Sequence, residues 1–400
     1  VNGLGVNTRG VLFLGLRYLQ RNRAKTLLLV AAFTLVWLLP AGIGLIVAKV
    51  ESQLRARAEG TPLLLGQAGS PLELVFNGIY FTKPQVATLP LREVDAVAET
   101  GLADVIPIYA RYAAGGYRIV GTTLDYFDFR QLEMAAGRNL LRLGECVVGA
   151  SVAEKNGLKA GDAVISTPET LFDLAGAYPL KMTVVGVLAP SASPDDEAIF
   201  VDLKTAWIIE GLGHGHDEAE DLGEEEKIAP TMPGDTAVRL NASVLEYNEI
   251  TPGNAERFHF HGDVSDYPVT AAIILPPDAR NQALIKGRYT KAGGLQLVSP
   301  AAEMDELFAT VFSVQRFVIA LLLAIGIATV AIGALVFLLS YRLREDEFRH
   351  LRHLGADLAT LRALVAFEAG FVILASLIAS GIGLALIHTI APVIIREMMG

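Results

Sequence analysis

Charged residues desert this chain in three places. Thr26–Ala48, Phe317–Ser340 and Ala369–Ile395 each run 23 residues or more without Asp, Glu, Lys or Arg. At 1.5 Å rise per residue, about 20 apolar residues cross the roughly 30 Å hydrocarbon layer of a bilayer. In lipid each backbone amide must be satisfied within its own segment, so helices are predicted and not strands. The first run is too long for a cleaved leader, whose apolar part spans about 7–15 residues. The nearest small-residue triplet, Ala56-Arg57-Ala58, also carries a charge at its centre. Ahead of that run, Val11–Gln20 is apolar and is followed by Arg21, Arg23 and Lys25. This pattern predicts an elbow helix lying on the inner leaflet.

Between the first two runs the period changes. Ile119–Thr123, Val147–Gly149, Thr183–Leu188, Val269–Leu275 and Leu295–Val298 are short runs rich in β-branched or aliphatic residues and read as strands. Pro90–Thr100, Asp278–Tyr289 and Ala302–Phe312 carry helical spacing. The fold class is therefore membrane α-helical, with three spans and a large inserted extracytoplasmic α+β domain. Residues 211–235, Gly-rich and then acidic, are expected to form a mobile surface loop between two lobes.

Composition fits this division. Apolar residues make up 52% of the 400 and charged residues only 19%, whereas soluble domains run near a quarter charged. Disordered and collagen-like classes are excluded. Residues 1–50 hold no acid, while residues 49–316 carry 22 basic and 37 acidic residues. Basic flanks stay in the cytoplasm. The expected order is a cytoplasmic elbow segment at 1–25, a span at 26–48 and an outer domain at 49–316. A span at 317–340, a cytoplasmic loop at 341–368, a span at 369–395 and an outer tail at 396–400 follow. The expected location is a cell membrane, with the large domain outside. No basic footprint for nucleic acid is present.

Several short segments, in this order, resemble MacB/FtsX-like ABC transporter permeases. They are Gly137-Arg138-Asn139, Val147–Ala153, Gly157–Asp162, Val184–Leu188 and Ile199-Phe200-Val201. The layout of one span, a large outer domain and then grouped spans is similar too. In the cytoplasmic loop, Glu347, Leu354-Gly355-Ala356 and Phe367-Glu368-Ala369 match the family's stretch there, while Asp346, Arg349 and Leu351 depart from it. The resemblance implies a separate ATPase subunit, a homodimer, and outer domains rearranged by cytoplasmic ATP hydrolysis. It also implies four spans, so a fourth is expected beyond Gly400.

The chain has no Gly-Lys dipeptide, so a phosphate-binding loop for ATP cannot occur in it. ATP is expected to act through the partner, and no enzymatic activity is expected of the chain itself. An amphipathic helix in the loop is expected to seat in that partner, through Arg344, Glu345, Glu347, Phe348, Leu351, Leu354 and Gly355. The spans offer few polar groups, chiefly Thr34, Thr329, Ser376, Ser380 and His388. Small residues at Ala320, Ala324 and Ala328, and at Ala375, Ala379 and Gly383, suggest close helix packing instead.

Two H-x-H pairs, His214/His216 and His259/His261, are each followed by acids, Asp217 and Asp263. Residues two apart on a strand share a face, so such pairs suit a four-coordinate zinc ion. Polar loop histidines on an acidic surface are the alternative. Cys146, the only cysteine, reads as a packing residue. Two other functional classes stay open: a membrane-anchored metal-binding or sensing module, and an FtsX-like scaffold for an outer cell-wall enzyme or another outer partner protein.

Overall fold

The computed structural model describes residues 8–83, 85–167, 179–215, 248–251, 253–289 and 293–399. It divides into two compact units, one of residues 1–52 with 307–398 and the other built on residues 53–306.

The first unit is helical. An elbow helix, Thr8–Arg21, is followed after one residue by a first spanning helix, Arg23–Glu59. A second spanning helix covers Pro300–Leu343, a short loop helix Glu345–His353, and a third spanning helix Leu358–Met399. All three long helices are apolar enough to cross a membrane. Their large side chains stay exposed, as Leu28, Phe317 and Ile327 illustrate. Lipid tails, which are as apolar as Leu, would cover such side chains without penalty.

Packing between spans relies on glycine. A Cβ on Gly333 would lie 2.6 Å from the Phe33 ring, one on Gly383 2.9 Å from Leu38, and one on Gly326 3.1 Å from Val36. The expected ridge of Ala320, Ala324 and Ala328 is instead exposed. The second span approaches the first along the face that carries Gly326 and Gly333, which the alanine spacing does not share. Hydroxyls in the spans are bonded to backbone: Thr34 to the Val30 carbonyl, Thr329 to Ile325, Ser376 to Ile373 and Ser380 across to Thr34.

The second unit is α+β. One antiparallel sheet orders its strands Leu295–Val298, Leu63–Gln67, Ala271–Leu275 and Asp104–Ile108. The Val269–Leu275 run of the sequence is divided in two: Thr270 separates Pro268–Val269, which pairs elsewhere, from Ala271–Leu275. A second, mixed sheet centres on Leu180–Leu188, Glu145–Val148, Ala198–Asp202 and Tyr117–Thr122. Its aliphatic faces join Val94 and Val97 of the helix Leu91–Ala98, and Trp207 of the helix Leu203–Glu210, in one core. Cys146 lies fully within that core, where burial pushes its thiol up to about 12. Gly137 is required at its turn: its φ is +78°, and a Cβ there would lie 2.2 Å from the Val185 carbonyl oxygen.

The joints between helix and sheet set up everything that follows. The first spanning helix runs unbroken for 37 residues, past the apolar run, and ends four residues before the strand Leu63–Gln67. The strand Leu295–Val298 ends two residues before the second spanning helix begins. Those two strands are hydrogen-bonded neighbours, Leu64 opposite Val298 and Gln67 opposite Leu295.

Candidate functional site

At the outer end of the first spanning helix, Arg57 is turned into the domain core. Its guanidinium donates to both oxygens of Asp195, at 2.5 and 2.8 Å, to the Tyr126 hydroxyl at 2.7 Å and to the Ile79 carbonyl at 3.0 Å. The Tyr126 hydroxyl itself donates to Asp195 at 2.6 Å. Phe81, Phe127 and Phe200 pack around Tyr126. The side chains of the pair are only 7% and 1% exposed. Burial alone would raise the Asp195 carboxyl, but the adjacent Arg57 charge and the Tyr126 hydroxyl hold it below the ordinary carboxylate range. Nearby, Arg130 donates to the Thr61 hydroxyl at 2.7 Å, clasping the turn that leaves the helix. Arg55 and Asp305 pair at 2.6 Å, bridging the first and second spanning helices above their membrane segments.

None of these residues stood out in the sequence. In the sequence Arg57 is only the charge at the centre of Ala56-Arg57-Ala58. The signal available was the helix-compatible stretch Lys49–Glu59 continuing the apolar run, which shows the helix leaving the membrane intact.

At the cytoplasmic end a second polar cluster joins the elbow helix, the loop helix and all three spanning helices. The Arg344 guanidinium lies 3.6 Å from the centre of the Tyr18 ring and 4.8 Å from that of Phe348. It donates to Glu368 at 2.8 Å and to Glu347 at 3.1 Å. Lys25 donates to the Ser340 hydroxyl at 2.9 Å and to the Tyr18 hydroxyl at 3.2 Å. Beside them Val11, Phe348, Leu361 and Leu364 form a small buried cluster. The elbow helix comes close there because Gly15 has no Cβ; one would lie 2.3 Å from the Phe367 ring.

This arrangement divides the expected coupling residues. Phe348 is buried and Leu351 half-buried, both against the elbow and third spanning helices. Arg344 is engaged with Glu368. These three face inward, because the apolar side of this short helix packs within the chain. Glu345, Glu347, Leu354 and Gly355 are exposed. Leu354 departs from the face of Phe348 because the helix ends at His353, and Gly355 then turns the chain at a φ of +96°. Leu343, Leu354 and Leu358 leave large apolar side chains open on this side, among charges of both signs.

One position of each H-x-H pair lies in a two-stranded ribbon. Gly213–Gly215 pairs antiparallel with Phe258–Phe260, which sets position 214 opposite His259. The His259 and His261 rings lie 4.6 Å apart. His216 and Asp217 lie outside the described residues. Asp263 caps the turn Val264–Asp266 by accepting from the Ser265 amide. Among the described residues no group of three or more metal-ligating side chains assembles.

Helices long enough to span a bilayer, rooted in an α+β domain of some 250 residues, define a membrane protein with a large extracytoplasmic domain. The MacB-like periplasmic core domain family matches residues 40–244, and the chain belongs to that family. It is thus the membrane subunit of an ABC transporter, located in the inner membrane with its α+β domain in the periplasm.

Among solved structures, the chain is similar to the periplasmic region of MacB from Actinobacillus actinomycetemcomitans, at 11% identity and a TM-score of 0.34. That likeness covers 62% of this chain and 94% of the other. The extracellular domain of the noncanonic ABC-type transporter YknZ from Gram-positive bacteria is similar at 10% identity and a TM-score of 0.31, covering 59% and 98%. No curated protein matches the chain. The assignment rests on the family match.

Proposed function

We propose that this subunit transmits force: a separate ATPase docks on its cytoplasmic loop, and ATP hydrolysis there moves the outer domain. The observation that supports this reading is the continuity of the first and second spanning helices with two hydrogen-bonded strands of one outer sheet. The connections are short in sequence, from Glu59 to Leu63 and from Val298 to Pro300, so a displacement of either helix would be passed to that sheet. The enclosed Arg57–Asp195 pair fixes the last turns of the first spanning helix to the α+β domain. The Tyr18–Arg344–Glu368 cluster ties the loop helix to the elbow, to the end of the second span and to the third. The hydroxyls of the spans, bonded to backbone, suit packed transmitting rods better than the polar lining that a hydrophilic conduit needs.

The docking surface consists of Glu345, Glu347, Leu354 and Gly355, with Leu343 and Leu358 beside them. The working unit is a homodimer, and the outer domain engages a substrate or an outer partner protein. The test is affinity capture of the full chain from its native membrane. A co-purifying ABC ATPase, lost on Leu354→Asp, is the expected result. Capture with no nucleotide hydrolase, or capture indifferent to residues 342–356, would sink the proposal.

A further inference from the structure

We propose that the elbow helix is a docking surface for anionic phospholipid headgroups on the cytoplasmic side of the membrane. Arg17 and Arg21 are the headgroup contacts, and Leu12, Phe13 and Leu16 form the apolar seat beside them. The inference goes beyond force transmission and needs no ATPase.

The helix Thr8–Arg21 divides into three strips. Successive residues of a helix are turned by about 100°, so positions four apart stay within about 40° of one another. Val11, Gly15 and Leu19 step by four along the buried strip. That strip is taken up within the chain: Val11 joins the cluster of Phe348, Leu361 and Leu364, and Gly15 lies against the Phe367 ring. Its hold fixes which side of the helix is turned outward. Beside it Leu12 and Leu16 are exposed, and Phe13 next to them is 60% exposed. Arg17 and Arg21 continue from Phe13 in the same step of four and are exposed as well. The Arg17 guanidinium lies 5.6 Å from the centre of the Phe13 ring, which sets the apolar and basic strips edge to edge. Leu14 is exposed beyond the arginines.

An apolar strip bordered by a basic one suits the boundary between lipid tails and headgroups. Three observations select lipid as the occupant. Exposed apolar side chains resume at Leu27 and Leu28, in the first turns of the spanning helix that follows. Arg21 stands five residues ahead of the uncharged run that begins at Thr26. That is no more than about 8 Å along a helix, within reach of a headgroup layer about 5–8 Å deep. Finally, residues 1–50 hold no acid at all, so the field around Arg17 and Arg21 has one sign and complements an anionic leaflet. Lys25, by contrast, is engaged within the chain, with Ser340 and Tyr18.

Every phospholipid offers phosphate oxygens to a guanidinium fork. A net negative headgroup adds a preference of about fivefold for each basic side chain near the surface.

The experiment uses the full chain in a neutral detergent. It is titrated with phosphatidylglycerol or with phosphatidylcholine of the same acyl chains, and bound lipid is counted by native mass spectrometry. The parent should retain the anionic lipid in preference to the zwitterionic one. Arg17→Gln plus Arg21→Gln should reduce that preference by about 25-fold, and each single variant by about fivefold. Phe13→Ala plus Leu16→Ala should weaken both lipids alike and leave their ratio unchanged. Arg17→Lys plus Arg21→Lys keeps the charge and should keep the preference. Arg349→Gln plus Arg352→Gln, at exposed positions of the loop helix, should behave as the parent. Melting curves check folding, and the single variants decide if the double one does not fold. Equal retention of the two lipids by the parent, or undiminished preference in the folded glutamine variant, would overturn the proposal. Displacement of the anionic lipid by equimolar inorganic phosphate would overturn it too, because the arginines would then serve a soluble anion.

Discussion

The upper and lower joints of this subunit handle a buried charge in different ways. At the outer end, Arg57 and Asp195 are enclosed among aromatic rings, every partner comes from the folded domain, and little side-chain surface reaches water. At the cytoplasmic end, Arg344 also holds a buried acid, Glu368, but its other acid, Glu347, is 66% exposed beside open apolar residues. An enclosed pair is costly to break, because either partner alone leaves an uncompensated charge. A pair open on one side can exchange partners when another protein arrives. The contrast is between a pair enclosed within the outer domain and a pair left half open at the cytoplasmic end.

The contrast is sharpest where it is most expensive to disturb. Asp195→Ala strands Arg57 in the core and should cost about 3–5 kcal/mol, read as the denaturant midpoint of the full chain at neutral pH. Acid should narrow the gap. The Asp195 carboxyl is held below its ordinary range in the folded protein, so its contribution is complete above the unfolded value of about 3.9. The contribution is lost as pH falls through the lower, folded value. The stability difference between the parent and Asp195→Asn should therefore be constant from pH 7 to about 5 and shrink below about 4.

Arg344→Ala removes a charge-assisted hydrogen bond at the half-open joint and should cost less, about 1.5–3 kcal/mol, seen as a lower melting temperature of the membrane unit. A loss as large as that of Asp195→Ala would erase the distinction between the joints. Gly355→Ala should cost about 1–2 kcal/mol, because its backbone is left-handed, with the loop helix intact by circular dichroism. The smallest effect on stability belongs to Leu354→Asp. Its side chain is 84% exposed, so unfolding should change by no more than about 0.5 kcal/mol while ATPase association is lost. Association surviving in Leu354→Asp would move the docking surface elsewhere.

What the sequence revealed divides along the same line. Uncharged length alone marks a span, since lipid imposes one requirement on every residue of it, so the three membrane helices were legible. Short β-branched or aliphatic runs likewise marked the strands around Val147, Thr183 and Leu295. Side-chain direction in a short amphipathic helix was not legible. Phe348, Leu351 and Leu354 look alike by spacing, yet the elbow helix takes the first two, and the end of the helix at His353 throws the third outward. The Arg57–Asp195 pair was invisible for another reason: its members are 138 positions apart, and only tertiary packing brings them together. The histidine ribbon lay between these cases. H-x-H spacing pointed to a shared face, but only the register of His214 with His259 unites the two motifs.

Force transmission itself is tested most directly by hydrogen exchange on the subunit assembled with its ATPase in a lipid nanodisc. Amides at the roots of the two outer strands, residues 59–67 and 294–299, would be compared in ATP-bound and ADP-bound states. Exchange that changes between the states at these roots, and no longer does so in Leu354→Asp, is the predicted result. Identical exchange in both states, with the ATPase bound and hydrolysing, would contradict the account.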